Sequence, residues 1–228
     1  MPQANAYKFQ EWPQTARQFL ERLPKQLTGG VESEAIQLPP IPADTLDSIA
    51  SSLRLPMPAA LRAFLQHATG GFVFHYKWIP TGSQAEAIVS ALGGEPWLFG
   101  GGEFCKAKEF AGWLADCKSW AEETWVAENP DDFAFWIQSF PILRMDNGDF
   151  LGLDSRSPSD DPAVVYLSHD DESKIVAESY TSFLSAWARV GYVGPESWMI
   201  ENFLNNDGLL DPETEKARGL QRALGIEG

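Results

Sequence analysis

Cysteine and basic residues are both scarce in this sequence. Its 228 residues include 2 cysteines, and 17 lysines and arginines stand against 32 aspartates and glutamates, which gives a net charge of −15 at pH 7. Two cysteines are too few for a disulfide framework. Cys105 and Cys117 lie in a stretch with helical periodicity, where they would be about 18 Å apart along a helix axis. The sequence therefore predicts a protein of a reducing, cytoplasmic compartment.

Long apolar runs are absent as well. No stretch approaches the roughly 18 apolar residues of a membrane-spanning helix, and no apolar signal core follows Met1. We therefore expect neither a membrane span nor a secretion signal. The low number of basic residues also argues against binding to nucleic acid or to anionic membranes, because both require a cationic face.

The acidic excess is confined to the larger part of the chain. Residues 1–64 contain six basic and six acidic side chains, whereas residues 65–228 contain eleven basic and 26 acidic ones. An acidic field over the main body attracts cationic molecules. The charge pattern therefore favours a basic protein as partner.

Sequence patterns for catalysis and for cofactor binding are missing. No glycine run precedes the Lys-Ser or Lys-Thr of a phosphate-binding loop, and no Gly-x-Ser-x-Gly elbow is present. The run Gly101-Gly102-Glu103-Phe104 is interpreted as a glycine-rich turn. His169 precedes three carboxylates, which we interpret as a solvated turn capping the next helix, with a metal site as the alternative. We expect no catalytic residue, no metal and no cofactor.

Apolar periodicity and turn residues predict the secondary structure. Helices are expected at residues 14–28 with a break at Pro24, and at 44–53, 59–67, 107–127, 173–189 and 212–224. Strands are expected at 72–79 and 164–167, with a hairpin over 140–154 turning at Asn147-Gly148. Residues 29–43, with two glycines and three prolines, are expected to form a connector.

Tryptophan is abundant, with nine residues in the chain. Those at helical spacing are explained by core packing, whereas four others lie near predicted breaks or loops. Tryptophan is enriched at the energetic centres of protein interfaces. The candidate partner-binding residues are therefore Trp12, Trp97, Trp136 and Trp198, with Asp131, Asp132, Asp170, Asp171 and Glu172 as charged surroundings.

The order of several short motifs resembles a known family. Leu55-Pro56-Met57-Pro58 opens a helix that leads to Gly70-Gly71-Phe72, and the hairpin around Gly148 is followed by Gly152-Leu153-Asp154. Later motifs are Val164-Val165-Tyr166-Leu167-Ser168-His169-Asp170, then Ala177-Glu178-Ser179-Tyr180 and Gly194-Pro195-Glu196. This order is similar to that of the SUKH superfamily, which includes bacterial immunity proteins and a fungal cell-wall-assembly regulator.

The resemblance covers residues 44–228 and implies the fold and the function. It implies a single α/β (α+β) domain with a mixed β-sheet, a central hairpin and several packed helices. Residues 1–43 would be an N-terminal helical addition to the same domain, which would span residues 1–228. The implied function is non-enzymatic: an immunity protein that neutralises a partner toxin, often a nuclease, by stoichiometric binding. The alternatives are an intracellular regulator or scaffold and, more remotely, an acid-dependent hydrolase.

Overall fold

One seven-stranded sheet organises the chain in a computed structural model that describes residues 3–94, 96–104, 106–145, 147–194 and 196–226. The strands are β1 (Gly30–Gln37), β2 (Phe72–Ile79), β3 (Leu98–Phe104), β4 (Ser139–Arg144), β5 (Phe150–Asp154), β6 (Val164–Leu167) and β7 (Lys174–Ala177). They lie in chain order across the sheet, and every neighbouring pair is antiparallel.

Ten α-helices occur among the described residues. They are α1 (Gln3–Gln26), α2 (Ala43–Ser51), α3 (Ala59–His67), α4 (Ser83–Leu92), α5 (Phe110–Ala121), α6 (Thr124–Glu128), α7 (Pro130–Gln138), α8 (Tyr180–Arg189), α9 (Ser197–Ile200) and α10 (Glu215–Leu224). The α/β class and the position of the β4–β5 hairpin at the middle of the sheet are therefore confirmed.

The sheet is antiparallel rather than mixed, which corrects one expectation. Each strand pairs with the strand before it in the chain, so every connection must begin and end at the same end of the sheet. Helix α4 makes this return between β2 and β3, and α5 to α7 make it between β3 and β4.

Several predicted elements are correct and others are wrong. The helix at 59–67 and the strand at 72–79 have the predicted bounds, and Gly148 has the positive φ (100°) expected at the hairpin turn. The expected connector 29–43 contains β1, and the expected helix 173–189 is β7 followed by α8. The expected helix 107–127 is divided among a 3₁₀ turn, α5 and α6.

Helix α1 is part of the main core and is longer than predicted. It runs through Pro24, and its Trp12 stacks against Trp187 of α8 with ring centroids 6.2 Å apart. One continuous hydrophobic cluster includes buried residues from α1 to α10. The division into an addition (1–43) and a core (44–228) stays a prediction, and the addition is not purely helical because it contains β1.

Candidate functional site

The outer face of strands β1 to β3 is open to solvent. In β2, the side chains of Phe72, Phe74, Tyr76 and Trp78 are buried, whereas the alternate side chains of His75, Lys77 and Ile79 are exposed. This period-two pattern is typical of a sheet with one face on the core and the other in water. We call the solvent side the open face.

A groove of about 650 Å³ crosses the open face. It runs from Glu32 and Glu34 of β1, across His75 and Lys77, to the backbone of residues 100–102 in β3. Glycines leave the floor of the groove without side chains. The groove is therefore wide and shallow at its centre.

Residues 101–104 belong to strand β3, so the expected glycine-rich turn at these residues is wrong. The glycines of β3 are required instead by close packing against neighbouring backbone. Gly101 has a φ of 93°, and a Cβ on it would lie 2.0 Å from the carbonyl oxygen of Phe74. A Cβ on Gly100 would lie 2.3 Å from the carbonyl oxygen of Tyr192. Only glycine fits so close to a neighbouring backbone.

Three aromatic side chains meet at one end of the groove. Trp97 and Phe99 stack with ring centroids 5.3 Å apart, and the ring of Trp198 lies edge-on at 5.6 Å from Trp97 and 5.7 Å from Phe99. Trp198 is 48% exposed, although it is one of the largest apolar side chains. We call these three residues the aromatic triad. An exposed aromatic cluster beside a groove is typical of a protein-binding surface.

The segment after α8 places Trp198 beside β3. Tyr192 has a φ of 56°, a left-handed conformation that costs a non-glycine residue about 1–3 kcal/mol. Its carbonyl accepts a hydrogen bond from the amide of Gly101 at 2.8 Å, and the amide of Gly194 donates to the carbonyl of Phe99 at 3.2 Å. The indole of Trp187 donates to the carbonyl of Val193 at 2.8 Å. These bonds hold the segment against β3.

A buried carboxylate links the hairpin turn to the triad. Asp149 is 2% exposed and accepts hydrogen bonds from the Tyr166 hydroxyl at 2.5 Å and from the His169 amide at 2.8 Å. The Tyr166 oxygen in turn accepts a bond at 2.8 Å from the amide of Ser197, the residue before Trp198. Burial, and next the bond to Asp149, raise the pKa of Tyr166, so it stays a neutral donor.

His169 belongs to this network, and residues 169–172 lead into strand β7. The interpretation of these residues as a solvated turn that caps the next helix is therefore wrong for His169 and for the helix. The His169 Nδ1 lies 2.7 Å from Asp149 Oδ1 and its Nε2 lies 3.0 Å from Asp170 Oδ2. The ring also contacts Trp120, with centroids 5.2 Å apart. Because both nitrogens face carboxylates, neither is directed at a hydroxyl or thiol that it could activate.

Four of the five predicted acidic residues are exposed, in two segments that lie next to each other. Asp131 is exposed at the start of α7, and Asp170, Asp171 and Glu172 are exposed in the turn between β6 and β7. Asp132 joins the two segments, because its carboxylate accepts a 2.6 Å bond from the amide of Ser173. We call the four exposed carboxylates the acidic end.

Three of the nine predicted residues are buried, which removes them from the surface. Trp12 is 7% exposed and its indole donates to the carbonyl of Leu184 at 3.0 Å. Trp136 is fully buried against Trp120, and Asp132 is 2% exposed. None of the three can reach a partner without local unfolding. Phe99 was missed, because the pairing of β3, and not its sequence, decides which residue of the run Trp97-Leu98-Phe99 faces outward.

The cysteines and the clusters of ligating side chains are the remaining candidates for catalysis and metal binding. Cys117 is buried, and burial raises the pKa of its thiol to about 12, which makes it unreactive at neutral pH. Cys105 lies outside the described residues. Across the ranges that the structure describes, no group of three His, Cys, Asp or Glu side chains is arranged to hold a metal ion. No helix in these ranges has the length and apolar character to cross a membrane.

Comparison with known proteins identifies the family. A sequence model of the SMI1 / KNR4 family (SUKH-1) matches residues 40–186, from the residues before α2 into α8. A search of curated proteins finds no match. The family match covers more than half of the chain and leaves out α1, β1 and Trp198. The chain belongs to the SMI1 / KNR4 family (SUKH-1).

Proposed function

We propose that this protein acts by stoichiometric binding of a basic protein, as an immunity protein that neutralises a toxin domain. The observation that carries the proposal is the aromatic triad of Trp97, Phe99 and Trp198 at the end of the open groove. Two of the three were selected from the sequence for their residue type, and the fold brings them together. Membership in a SUKH family supports a protein partner.

The charge of the molecule supports a basic partner. The net charge is −15, and the acidic end lies on the part of the chain that carries this excess. A nuclease must present a cationic face to bind phosphates, and an acidic protein can cover that face. Complementary charge can raise association rates to about 10⁸ M⁻¹s⁻¹ at low salt. The triad would then supply the slow dissociation.

The proposal includes the cellular compartment and the absence of catalysis. Cys117 is a free, buried thiol, which suits the reducing cytoplasm. In the proposed mechanism, the Asp149 network holds the turn and the triad in place and takes part in no reaction.

The proposal predicts that a basic toxin domain is encoded beside the gene for this protein, and the test uses that domain and this protein in purified form. We expect a 1:1 complex that inhibits the toxin, and Trp198→Ala should weaken binding by about 30-fold or more, as at an interface hot spot. Trp125→Ala is the matched control, because Trp125 is 37% exposed on α6 and lies outside the triad. The association rate of the wild-type protein should fall steeply with added salt.

Other outcomes would contradict the proposal. Equal binding by wild type and Trp198→Ala would show that the triad is not the site. An association rate that is independent of salt would remove the electrostatic part. A specific complex with a non-toxic endogenous protein, in place of a toxin, would favour the regulator or scaffold alternative.

A further inference from the structure

Strand β1 has a free hydrogen-bonding edge. Its pairing with β2 is regular over all eight residues, and the Leu38 amide continues the ladder by donating to the carbonyl of Gly71 at 2.8 Å. In an antiparallel ladder, alternate residues direct both backbone groups to the same side. Even-numbered residues of β1 therefore face β2, and the four odd-numbered residues face away: Val31, Ser33, Ala35 and Gln37. Among the described residues, nothing hydrogen-bonds to the backbone of these four.

The two sides of this edge differ in chemistry. On the open face, Glu32 and Glu34 are exposed, and neither forms an ion pair with any described residue. On the inner side, Val31 and Ala35 are partly buried. A cleft of about 300 Å³ runs there between β1 and α1, and its wall contains Leu20 and Pro24 together with the charged side chains of Arg17 and Glu21. The edge therefore combines free backbone groups, carboxylates without an ion pair on the open face, and the partly buried apolar side chains of Val31 and Ala35 on the inner side.

We propose that an extended segment of the basic partner adds to β1 as an eighth strand of the sheet. This inference rests on the protein-binding function proposed above. Lysine or arginine side chains at alternate positions would lie opposite Glu32 and Glu34 on the open face. The intervening side chains would be small and apolar, because they would lie beside Val31 and Ala35 on the inner side, next to the narrow cleft against α1. Backbone hydrogen bonds would supply affinity, and this alternation would supply specificity.

The same carboxylates disfavour pairing of β1 with a second copy of this chain. An antiparallel pair of two β1 strands, hydrogen-bonded at Ser33, would set Glu32 of one copy directly opposite Glu34 of the other. Like charges in directly opposite positions destabilise a strand pair. Charged residues on an edge strand are also a common protection against self-association. A basic strand from another protein is therefore the occupant that the edge selects.

The experiment uses a blocked peptide of about nine residues with alternating lysine and valine, long enough to lie along β1. It is titrated to about 1 mM, a range that detects weak complexes, into ¹⁵N-labelled protein followed by NMR. We expect saturable shifts at the amides of Val31, Ser33, Ala35 and Gln37. A peptide with glutamate in place of lysine should produce none of these shifts.

One substitution isolates the backbone contribution. Ser33→Pro replaces an outward N–H that no described group accepts, and proline is tolerated on edge strands. It should weaken peptide binding at least about 10-fold, whereas Ser33→Ala, which keeps the N–H, should bind as wild type does. If Ser33→Pro disturbs the spectrum beyond β1, the test uses wild-type protein instead, with a peptide that is N-methylated on the valines whose N–H groups would face β1.

The outcomes separate this inference from the proposed function. Unchanged binding by Ser33→Pro or by the N-methylated peptide, or no shifts at β1 up to the highest concentration, would overturn strand addition. The variants Trp198→Ala and Ser33→Pro are then each tested for binding to the toxin domain. If Trp198→Ala loses binding and Ser33→Pro does not, strand addition is wrong and the proposed function stands. If neither variant loses binding, the binding site proposed above fails as well.

Discussion

The two halves of the sheet differ in how many of their faces are covered. Strands β1 to β3 are covered on one face, and their outer side chains, such as His75 and Lys77, reach solvent. Strands β4 to β6 are covered on both faces: on the side continuous with the open face, Phe150 packs against Trp113 of α5 and Trp136 of α7. The chain therefore uses α5 to α7 to close one half of the sheet and leaves the outer face of the other half in contact with solvent.

This difference is visible in the strand sequences. The residues of β2 alternate between buried and exposed, whereas Val164–Leu167 of β6 are all buried. Alternating strands are typical of half-covered sheets, and continuous apolar strands are typical of sheets covered on both sides. The comparison predicts that substitutions in the covered half lower stability, and that exposed side chains on the open half affect binding instead.

The largest effect is expected from the covered half. Trp136→Ala removes a fully buried indole between Trp120 and Phe150 and should lower the free energy of unfolding by about 4 kcal/mol. Urea denaturation at constant pH measures it. A loss below about 1 kcal/mol would show that α7 does not seal this face.

In the open half, a substitution at Gly101 should lower stability almost as much as Trp136→Ala does. Gly101→Ala places a Cβ 2.0 Å from the Phe74 carbonyl oxygen at a φ of 93°, so β2 and β3 must separate or the backbone must change. We expect a loss of about 3 kcal/mol in the same assay. Gly94→Ala is the control, because nothing lies within 4 Å of its added Cβ. Equal stability of the two variants would contradict the geometry of the groove floor.

The hairpin turn should show an intermediate effect. Gly148 has a φ of 100°, and Gly148→Val should cost about 1–3 kcal/mol through backbone strain. Gly148→Ala tests the source of the loss, because its Cβ would make only an ordinary 3.4 Å contact with Trp120. An unchanged melting temperature in both variants would show that the turn does not need a left-handed residue.

Alkaline pH should lower the free energy of unfolding through the buried thiol of Cys117. Burial raises the pKa of the Cys117 thiol to about 12, so between its ordinary range and that value the folded state holds a proton that the unfolded state releases. Stability should therefore fall as pH rises, by roughly 1 kcal/mol per pH unit for this group. Cys117→Ala should give a shallower decline above about pH 9 than wild type. Parallel declines would mean that the thiol is not protected in the folded protein.

The smallest stability effect is expected at the triad. Trp198 is 48% exposed, so Trp198→Ala should change the free energy of unfolding by less than about 1 kcal/mol. The reduced binding that we propose for this variant would then reflect the lost contact and not a lost fold. A stability loss similar to that of Trp136→Ala would show that the triad is part of the core.

Local signals were sufficient for some elements and misleading for others. Pro58 marks the start of its helix because proline fixes its own φ, and Asn147-Gly148 marks the hairpin because glycine adopts the positive φ that the turn requires. In contrast, β1 lies among the glycines and prolines of residues 29–43 and exists through its pairing with β2, which is distant in the chain. The triad was predicted only as separate tryptophans, since Trp97 and Trp198 are brought together by the Tyr192 segment.

The sequence by itself determined the α/β class, the family, the acidic charge and the elements whose ends are set by proline and glycine. Those properties depend on composition and on residues close together in the chain. Only the tertiary structure decided which tryptophans are surface residues, which face of the sheet is open and which edge is free. Burial and strand pairing depend on contacts between distant segments: Trp12 and Trp198 have the same side chain, but α8 covers the first and leaves the second at the groove.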